Sequence, residues 1–516
     1  MNTRSTIVRN TLFSSVGIYT EYFLGMLTSI IIARHLGPAD FGTYSLVIWL
    51  VATGVVITNA GVSSAVIKFV AELRGAGRDG QIRSLLAWAW RVQATFMAVV
   101  LVGGTVLFML LGERLIPDFN HGVLLAILLV TTVLRALYML NISTTKGYEN
   151  FRATATIAVI GAPLNLLLIL VVWWLDGPME WFLGTYTVSS LVFWWISRRQ
   201  VAPLLPPPES REPLDDATRK RLHSYTALVA VTVVVSFITA SEVEVLFLTL
   251  FDTPASAGQF KVAYQLSSGA LLLVPGVFGA LLLPMMASAL ARGHEVAARR
   301  LAMSTTYLAV LTAPLVAFGV VFADGIIGLL YGAKYEPAAF AFACCLAAGA
   351  VGVLSQGASS YLLGSDRQRT LMIVVLAGSL VKVALDVGLI QRYGLTGAVA
   401  AYGTTRVLMG LAVVGLALYH SGARLEWSRL VRALIAAALA AAAAWTVKGF
   451  MPVLPTLAAG GLLLAAVYAA GTLLLGFWSA ADLRQVQELH ARLARGRPFF
   501  IGRILGWAAR RAEAAT

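Results

Sequence analysis

Charge is what this sequence has least of. Asp, Glu, Lys and Arg make up 12% of its 516 residues, against roughly a quarter in soluble domains. Cysteine is almost missing. Cys344 and Cys345 are the two present, and adjacent residues in one apolar run do not make a structural disulfide. No Gly-Lys-Ser/Thr loop is present to cradle nucleotide phosphates, which argues against direct ATP drive. No hydrophilic stretch is long enough for a separate soluble domain. Together these absences count against a soluble enzyme, a disulfide-stapled domain and an ATP-driven pump.

What is present is apolar. Hydrophobic residues make up 59% of the chain and the mean hydropathy is +0.80. Runs of about 20 apolar residues recur, each long enough to cross a hydrocarbon core of ~30 Å. In lipid the backbone must satisfy its own hydrogen bonds, and runs such as 434–444, dominated by Ala and Leu, do not alternate as barrel strands do. The expected fold class is therefore all-α integral membrane. About fourteen transmembrane helices are expected, near 11–33, 42–69, 84–111, 122–142, 153–175, 179–197, 223–250, 257–286, 301–330, 338–363, 370–391, 395–419, 430–450 and 456–478. The first run continues past 20 residues without a small-residue cleavage site, so it reads as a membrane helix and not a removed signal peptide.

The net charge of +14 would suggest nucleic acid in a soluble protein. Here the basic residues sit in short loops and mark topology. With the N-terminus in the cytoplasm, 29 of the 39 Lys and Arg fall on the cytoplasmic side. Five (Arg34, Arg114, Lys334, Arg392 and Lys448) fall outside. That asymmetry leads to the expectation of a multi-pass membrane protein with both termini in the cytoplasm, with the bilayer as partner and no nucleic acid. The expected organisation is an N-terminal six-helix bundle (1–200), a cytoplasmic linker rich in Pro and charge (201–222), a second six-helix bundle (223–420), two additional membrane helices (421–478) and a basic tail (479–516). In the tail, Leu483, Val486, Leu489 and Leu493 recur at helical spacing among Arg and Gln, as in an amphipathic segment lying on the membrane surface.

The two bundles repeat. Pro38-Ala-Asp-Phe-Gly42-Thr-Tyr44 matches Pro254-Ala-Ser-Ala-Gly258-Gln-Phe260, and Gly147-Tyr-Glu149-Asn-Phe-Arg152 matches Gly364-Ser-Asp366-Arg-Gln-Arg369, at offsets of 216 and 217 residues. The loops near 115–121 and 331–337 align at the same spacing. Six segments lie between equivalents, so the halves run parallel about an axis along the membrane normal. Transporters use this plan, with the substrate path between repeats.

Ionisable residues inside the segments are the site candidates, because one facing lipid costs at least ~2.5–3.5 kcal/mol on insertion scales. Basic candidates for lining a cavity are Arg135, Arg406, Arg91, Lys382 and Lys261. Acidic candidates for ion coupling are Glu21, Glu242, Glu244 and Asp386. No catalytic residue and no metal site is expected. Each candidate has a plainer reading. Lys382 and Asp386 stand four apart on one helix face, a local ion pair. Glu242 and Glu244 lie about 200° apart around a helix and cannot both point into one cavity. Arg91, near the cytoplasmic end of its segment, can snorkel. Arginines in a wet cavity suit an anionic headgroup, because guanidinium makes bidentate contacts with phosphate.

The loop Ala33-Arg-His-Leu-Gly-Pro-Ala-Asp-Phe-Gly-Thr-Tyr-Ser-Leu46 resembles the first-loop signature of the polysaccharide transporter family, the Wzx-type O-antigen flippases and relatives. Gly258-Gln-Phe-Lys-Val-Ala-Tyr264 leading to Pro275 and Pro284, Leu330-Tyr-Gly-Ala-Lys-Tyr335 and Tyr393-Gly-Leu-Thr-Gly-Ala398 fit the same pattern. The resemblance covers most of the first twelve segments. It implies the multidrug/oligosaccharidyl-lipid/polysaccharide (MOP) superfamily fold: two six-helix bundles around a central cavity, here with two further C-terminal helices. It also implies flipping of a polyprenyl-diphosphate-linked oligosaccharide, without a cofactor, driven by an Na⁺ or H⁺ gradient and serving polysaccharide polymerase machinery such as that of lipopolysaccharide. Many members carry Asp early in the seventh segment where this sequence has Glu242 or Glu244. The alternative within the superfamily is a cation-coupled multidrug exporter, against which the basic intramembrane residues count. A membrane glycosyltransferase needs carboxylates at a membrane-face loop, and the external loops here are short with scattered acids.

Overall fold

The structure, a computed structural model, describes residues 3–116, 119–208, 212–240, 242–274, 278–480, 482–484, 487 and 488. Among them there are seventeen α-helices and no strand. They are α1 (Thr3–Asn59), α2 (Val62–Gly75), α3 (Ile82–Leu115), α4 (His121–Gly147), α5 (Phe151–Trp174), α6 (Met179–Val201), α7 (Asp216–Ala240), α8 (Glu244–Phe251) and α9 (Pro254–Leu272). There follow α10 (Phe278–Leu290), α11 (His294–Val321), α12 (Ala323–Tyr331), α13 (Pro337–Leu354), α14 (Gln356–Gly364), α15 (Gln368–Ser421), α16 (Trp427–Trp445) and α17 (Val453–Leu474). Ten helical spans among the described residues are long and apolar enough to cross a membrane. The expected tail beyond Glu488 lies outside the described residues.

Two of the long helices are broken by glycine. In α1, Gly37 has φ 78°, and Pro38 follows without an N–H to donate. In α15, Gly394 has φ 51°. A positive φ reverses the chain cheaply only at glycine. Each break therefore divides one helical span into two arms.

Residues group into two compact units. One comprises Met1–Gly269, Leu330–Ala341 and Met372–Thr405; the other comprises Ala270–Leu329, Phe342–Leu371 and Arg406–Thr516.

The sequence repeat is written into the backbone of each unit. After α4, the N–H groups of Tyr148, Glu149 and Asn150 donate to the carbonyls of Thr144, Lys146 and Thr145. After α14, those of Ser365, Asp366 and Arg367 donate to Tyr361, Leu363 and Leu362, the same pattern 217 residues on. Glu149 and Asp366 hold the same left-handed φ of 58°, an unusual conformation for a residue with a side chain. A second equivalence joins loops. His35 Nε2 lies 3.0 Å from the Gly177 carbonyl, and at the same offset the Asp252 carboxylate lies against Gly394, where a Cβ would meet it at 2.3 Å.

In the first unit, the segment read as a linker is tied to the α2–α3 turn. Arg83 Nε donates to the Pro206 carbonyl at 2.5 Å, and Ser84 Oγ donates to that of Glu212 at 2.6 Å. Arg78 pairs with Asp215 at 3.1 Å, and Arg221 grips Glu72 through both terminal guanidinium nitrogens. The Arg221 hydrogen bond holds the Glu72 carboxyl below its usual range. Below this turn Val66, Phe69, Val70, Leu73, Leu85 and Trp88 form a buried cluster.

In the second unit, α16 turns an alanine stripe (Ala433, Ala436, Ala437, Ala440 and Ala444) inward and leaves Leu434, Ile435 and Leu439 exposed. Small side chains let membrane helices approach closely. A Cβ at Gly460 of α17 would lie 2.2 Å from Phe322. Asp482, just past α17, fastens the pair. It accepts from Tyr307 Oη at 2.5 Å, from Arg429 at 2.6 Å and from the Ser479 backbone at 3.0 Å. Burial raises the Asp482 carboxyl, and the bonds from Tyr307, Ser479 and Arg429 outweigh it, so the net shift is downward. Its contribution is therefore present above the unfolded value near ~3.9 and lost as pH falls through the folded value. Asp482→Asn is expected to lower the thermal midpoint of the purified protein at pH 7, the charged bonds contributing about 1.5–3 kcal/mol. It should also flatten this part of the acid dependence. A midpoint unchanged at pH 7 would show that Asp482 does not fasten α16 and α17.

Candidate functional site

The repeat motif first builds a crossing. Pro38 and Gly42 start the second arm of α1, and Pro254 and Gly258 start α9. A Cβ on Gly42 would lie 1.8 Å from the Pro254 carbonyl oxygen, and a Cβ on Gly258 would lie 2.1 Å from that of Pro38. The contacts are reciprocal, each glycine seating the proline carbonyl of the other repeat. Only a hydrogen fits at either position. Nearby, Ser29 Oγ donates to Gln265 Oε1 at 2.9 Å, and Tyr22 Oη donates to the Gln265 carbonyl at 3.2 Å, joining the first arm of α1 to α9. Tyr335 Oη donates to the Ala33 carbonyl at 2.9 Å.

A second feature is a polar seam between α4 and α6. Thr131 and Thr187 hydroxyls meet at 2.7 Å, and Asn141 donates to Ser197 at 3.0 Å. Between them Arg135 Nε donates to Ser190 Oγ at 2.9 Å. The Arg135 guanidinium carbon lies 4.2 Å from the Tyr186 ring centroid and 5.2 Å from that of Phe193. Flat guanidinium against aromatic faces is a favourable cation–π arrangement. Arg135 is half-buried and has no carboxylate partner among the described residues. Its remaining N–H donors have the chemistry to take an anion.

A third feature gathers the acids. Lys261 pairs with Glu242 at 2.6 Å, both partly buried. Lys382 pairs with Glu244 and stands 3.6 Å from Asp386. Side-chain exposure is 2% for Lys382 and 0% for both acids.

The expected residues therefore separate into groups. Lys261 on α9 pairs with Glu242 just before α8, and Lys382 on the first arm of α15 stands with Glu244 of α8 and with Asp386. Arg135 stands in the α4–α6 seam. Arg91 is exposed, with Nε donating to the Ala87 carbonyl at 3.3 Å one turn back. Arg406 is half-buried and belongs to the second unit. Glu21 lies on α1, but its side chain is outside those described. Sequence reasoning missed Tyr186, Phe193 and Ser190 around Arg135. They stand 51 to 58 residues further along, and nothing local marks them. It found the Pro–Gly motif without its role.

The helical arrangement is that of the MOP transporters. The chain is similar to the lipid II flippase MurJ in an inward closed conformation, with TM-score 0.71 and 13% identity over 89% of this chain and 98% of that one. It is similar to an inward-facing multidrug resistance MATE family transporter of the MOP superfamily, with TM-score 0.64 and 12% identity over 79% and 98%. A MOP superfamily transporter from Pyrococcus furiosus follows, with TM-score 0.58 and 13% identity over 81% and 95%. At these identities the likeness is one of fold. Residues 7–290 match the model of the family described as polysaccharide biosynthesis protein, more than half the chain, and the protein belongs to that family. No curated protein matches the sequence.

Adding a methyl at the crossing should be felt. Gly42→Ala and Gly258→Ala are each expected to destabilise the purified protein by about 1–3 kcal/mol, the usual range for overpacking. Gly25 and Gly103 lie in helices with open space at the Cβ position, so alanine there should be neutral or stabilising. Thermal midpoints of the four variants decide it. Equal midpoints would remove the crossing as a close contact.

Proposed function

We propose that the protein is a flippase. It carries a polyprenyl-diphosphate-linked oligosaccharide from the cytoplasmic to the outer leaflet of a bacterial inner membrane, by alternating access and at the expense of an ion gradient. It thereby serves surface polysaccharide synthesis ahead of a polymerase, and is not itself an enzyme. Fourteen crossings, cytoplasmic termini and two six-helix bundles flanking a central path belong to the same proposal. Family membership and the MOP fold support transport as the class.

The observation that carries the substrate reading is Arg135. It is a permanent cation, half-buried, stacked on Tyr186 and without an acidic partner among the described residues. Such a group favours a diphosphate headgroup, whose oxygens take charge-assisted hydrogen bonds. It disfavours an organic cation, and so favours the flippase over a multidrug exporter.

In a strain deleted for the gene, lipid-linked oligosaccharide should accumulate on the cytoplasmic leaflet while surface polysaccharide falls, and mass spectrometry of the lipid then gives the glycan. An unchanged lipid pool with new drug sensitivity would favour the exporter. Arg135→Ala should lower complementation by roughly tenfold or more, as expected for losing about 1.4 kcal/mol or more of a charged contact, with membrane abundance unchanged. Arg135→Lys should recover part of it. Full activity in Arg135→Ala would detach this residue from substrate.

A further inference from the structure

The cluster of Glu244, Lys382 and Asp386 does not balance its charge. Two carboxylates face one ammonium, and all three side chains are sealed from solvent. Glu244 Oε2, Asp386 Oδ1 and Asp386 Oδ2 accept no hydrogen bond among the described residues. The other acid on this stretch, Glu242, has its own lysine. Among the described residues, Glu244 and Lys382 are the charged groups that act on Asp386, and Ser379, two turns earlier on α15, donates to the Val235 carbonyl of α7. Fully ionised, the cluster would bury one uncompensated negative charge. Burying such a charge costs several kcal/mol, and proteins avoid it by taking up a proton or a cation.

We infer that Glu244 and Asp386 together bind one exchangeable proton, with Lys382 as the fixed cation between them. A metal ion fits poorly. A hard cation needs about six oxygen ligands, whereas three carboxylate oxygens are left over here and the lysine ammonium already stands beside both acids. No group of three or more His, Cys, Asp or Glu able to hold a metal occurs among the described residues. A shared proton leaves the cluster neutral, and the two carboxyls titrate as a pair, so the proton belongs to neither alone. Losing it leaves a net negative charge that must be rehydrated, which couples protonation to opening of the α8–α15 contact. As the coupling step of transport this rests on the flippase reading; as a proton site it does not.

The test is infrared difference spectroscopy on the purified full-length protein in lipid, titrated from neutral to alkaline pH in sodium-free choline chloride. The expected result is the C=O stretch of one buried carboxylic acid, with the deuterium shift such a group shows. It should disappear at high pH, and be lost or moved in both Asp386→Asn and Glu244→Gln. Thermal midpoints measured in parallel check that both variants fold, and the wild-type titration stands without them. Absence of an acid band in the wild type, or a band unmoved by both substitutions, overturns the site. So does a wild-type band that sodium chloride abolishes at constant pH, which would mean that a metal ion displaces the proton. Substrate flipping is not part of the readout, so a failed flippase assay leaves this result intact.

Discussion

No water reaches the hydrocarbon layer, so each polar group placed there must find its partner within the protein. The backbone meets this demand by staying helical and confining its breaks to glycines such as Gly37 and Gly394. Hydroxyls meet it locally: Ser45, Thr249 and Thr305 each donate to the carbonyl four residues back. Amides meet it across helices, as where the fully buried Gln93 donates to both Asn59 Oδ1 and the Ala136 carbonyl. Charges meet it in pairs, Lys261 with Glu242 and Lys382 with Glu244. Among the described residues, the buried carboxylate oxygens left without a hydrogen-bond partner are Glu244 Oε2 and both of Asp386.

The same constraint explains why the repeat survives in geometry where it has faded in sequence. Between Gly147–Arg152 and Gly364–Arg369 the glycine, an acid and the arginine are shared. The hydrogen-bond pattern is nonetheless common to both, and so is the left-handed φ of Glu149 and Asp366. A helix end near the membrane surface must satisfy its last carbonyls, and only a few backbone solutions do so. The Pro38–Gly42 and Pro254–Gly258 crossing is more demanding. Backbone meets backbone there, so neither side can yield by rotating a side chain. Two copies of one motif supply both halves of the contact, which a parallel repeat achieves without inventing a second surface.

The helical membrane class was legible because hydropathy acts locally along the chain, and the family because its motifs are loop signatures. Helix breaks were only partly legible. Segments expected as single helices near 223–250, 301–330 and 338–363 are each divided in two, as α7–α8, α11–α12 and α13–α14. The breaks at Phe322 and Ser355 carry neither Gly nor Pro to announce them. The pairing of Lys382 with Asp386 could be read from a four-residue spacing. The pairing of Lys382 with Glu244, 138 residues apart, could not, because a single sequence holds no record of which helices meet. Glu242 and Glu244 do not share one helix as expected: Glu242 lies in the break between α7 and α8 and Glu244 opens α8, and each pairs with a different lysine.

The division of labour between the two kinds of cation follows from their chemistry. A lysine ammonium is a compact, strongly hydrated charge that tolerates burial poorly unless a carboxylate sits beside it. Both described intramembrane lysines, Lys261 and Lys382, have one. A guanidinium is weakly hydrated, stays protonated and can lie on an aromatic ring, so it persists half-buried without an acid. Arg135 lies half-buried on Tyr186, with no acidic partner among the described residues. The two lysines thus neutralise acids of the protein itself, while Arg135 sits in a seam lined by aromatic rings and hydroxyls. An exchange at position 135 would keep the charge but replace a flat guanidinium with a compact, strongly hydrated ammonium, which lies less well on the Tyr186 ring.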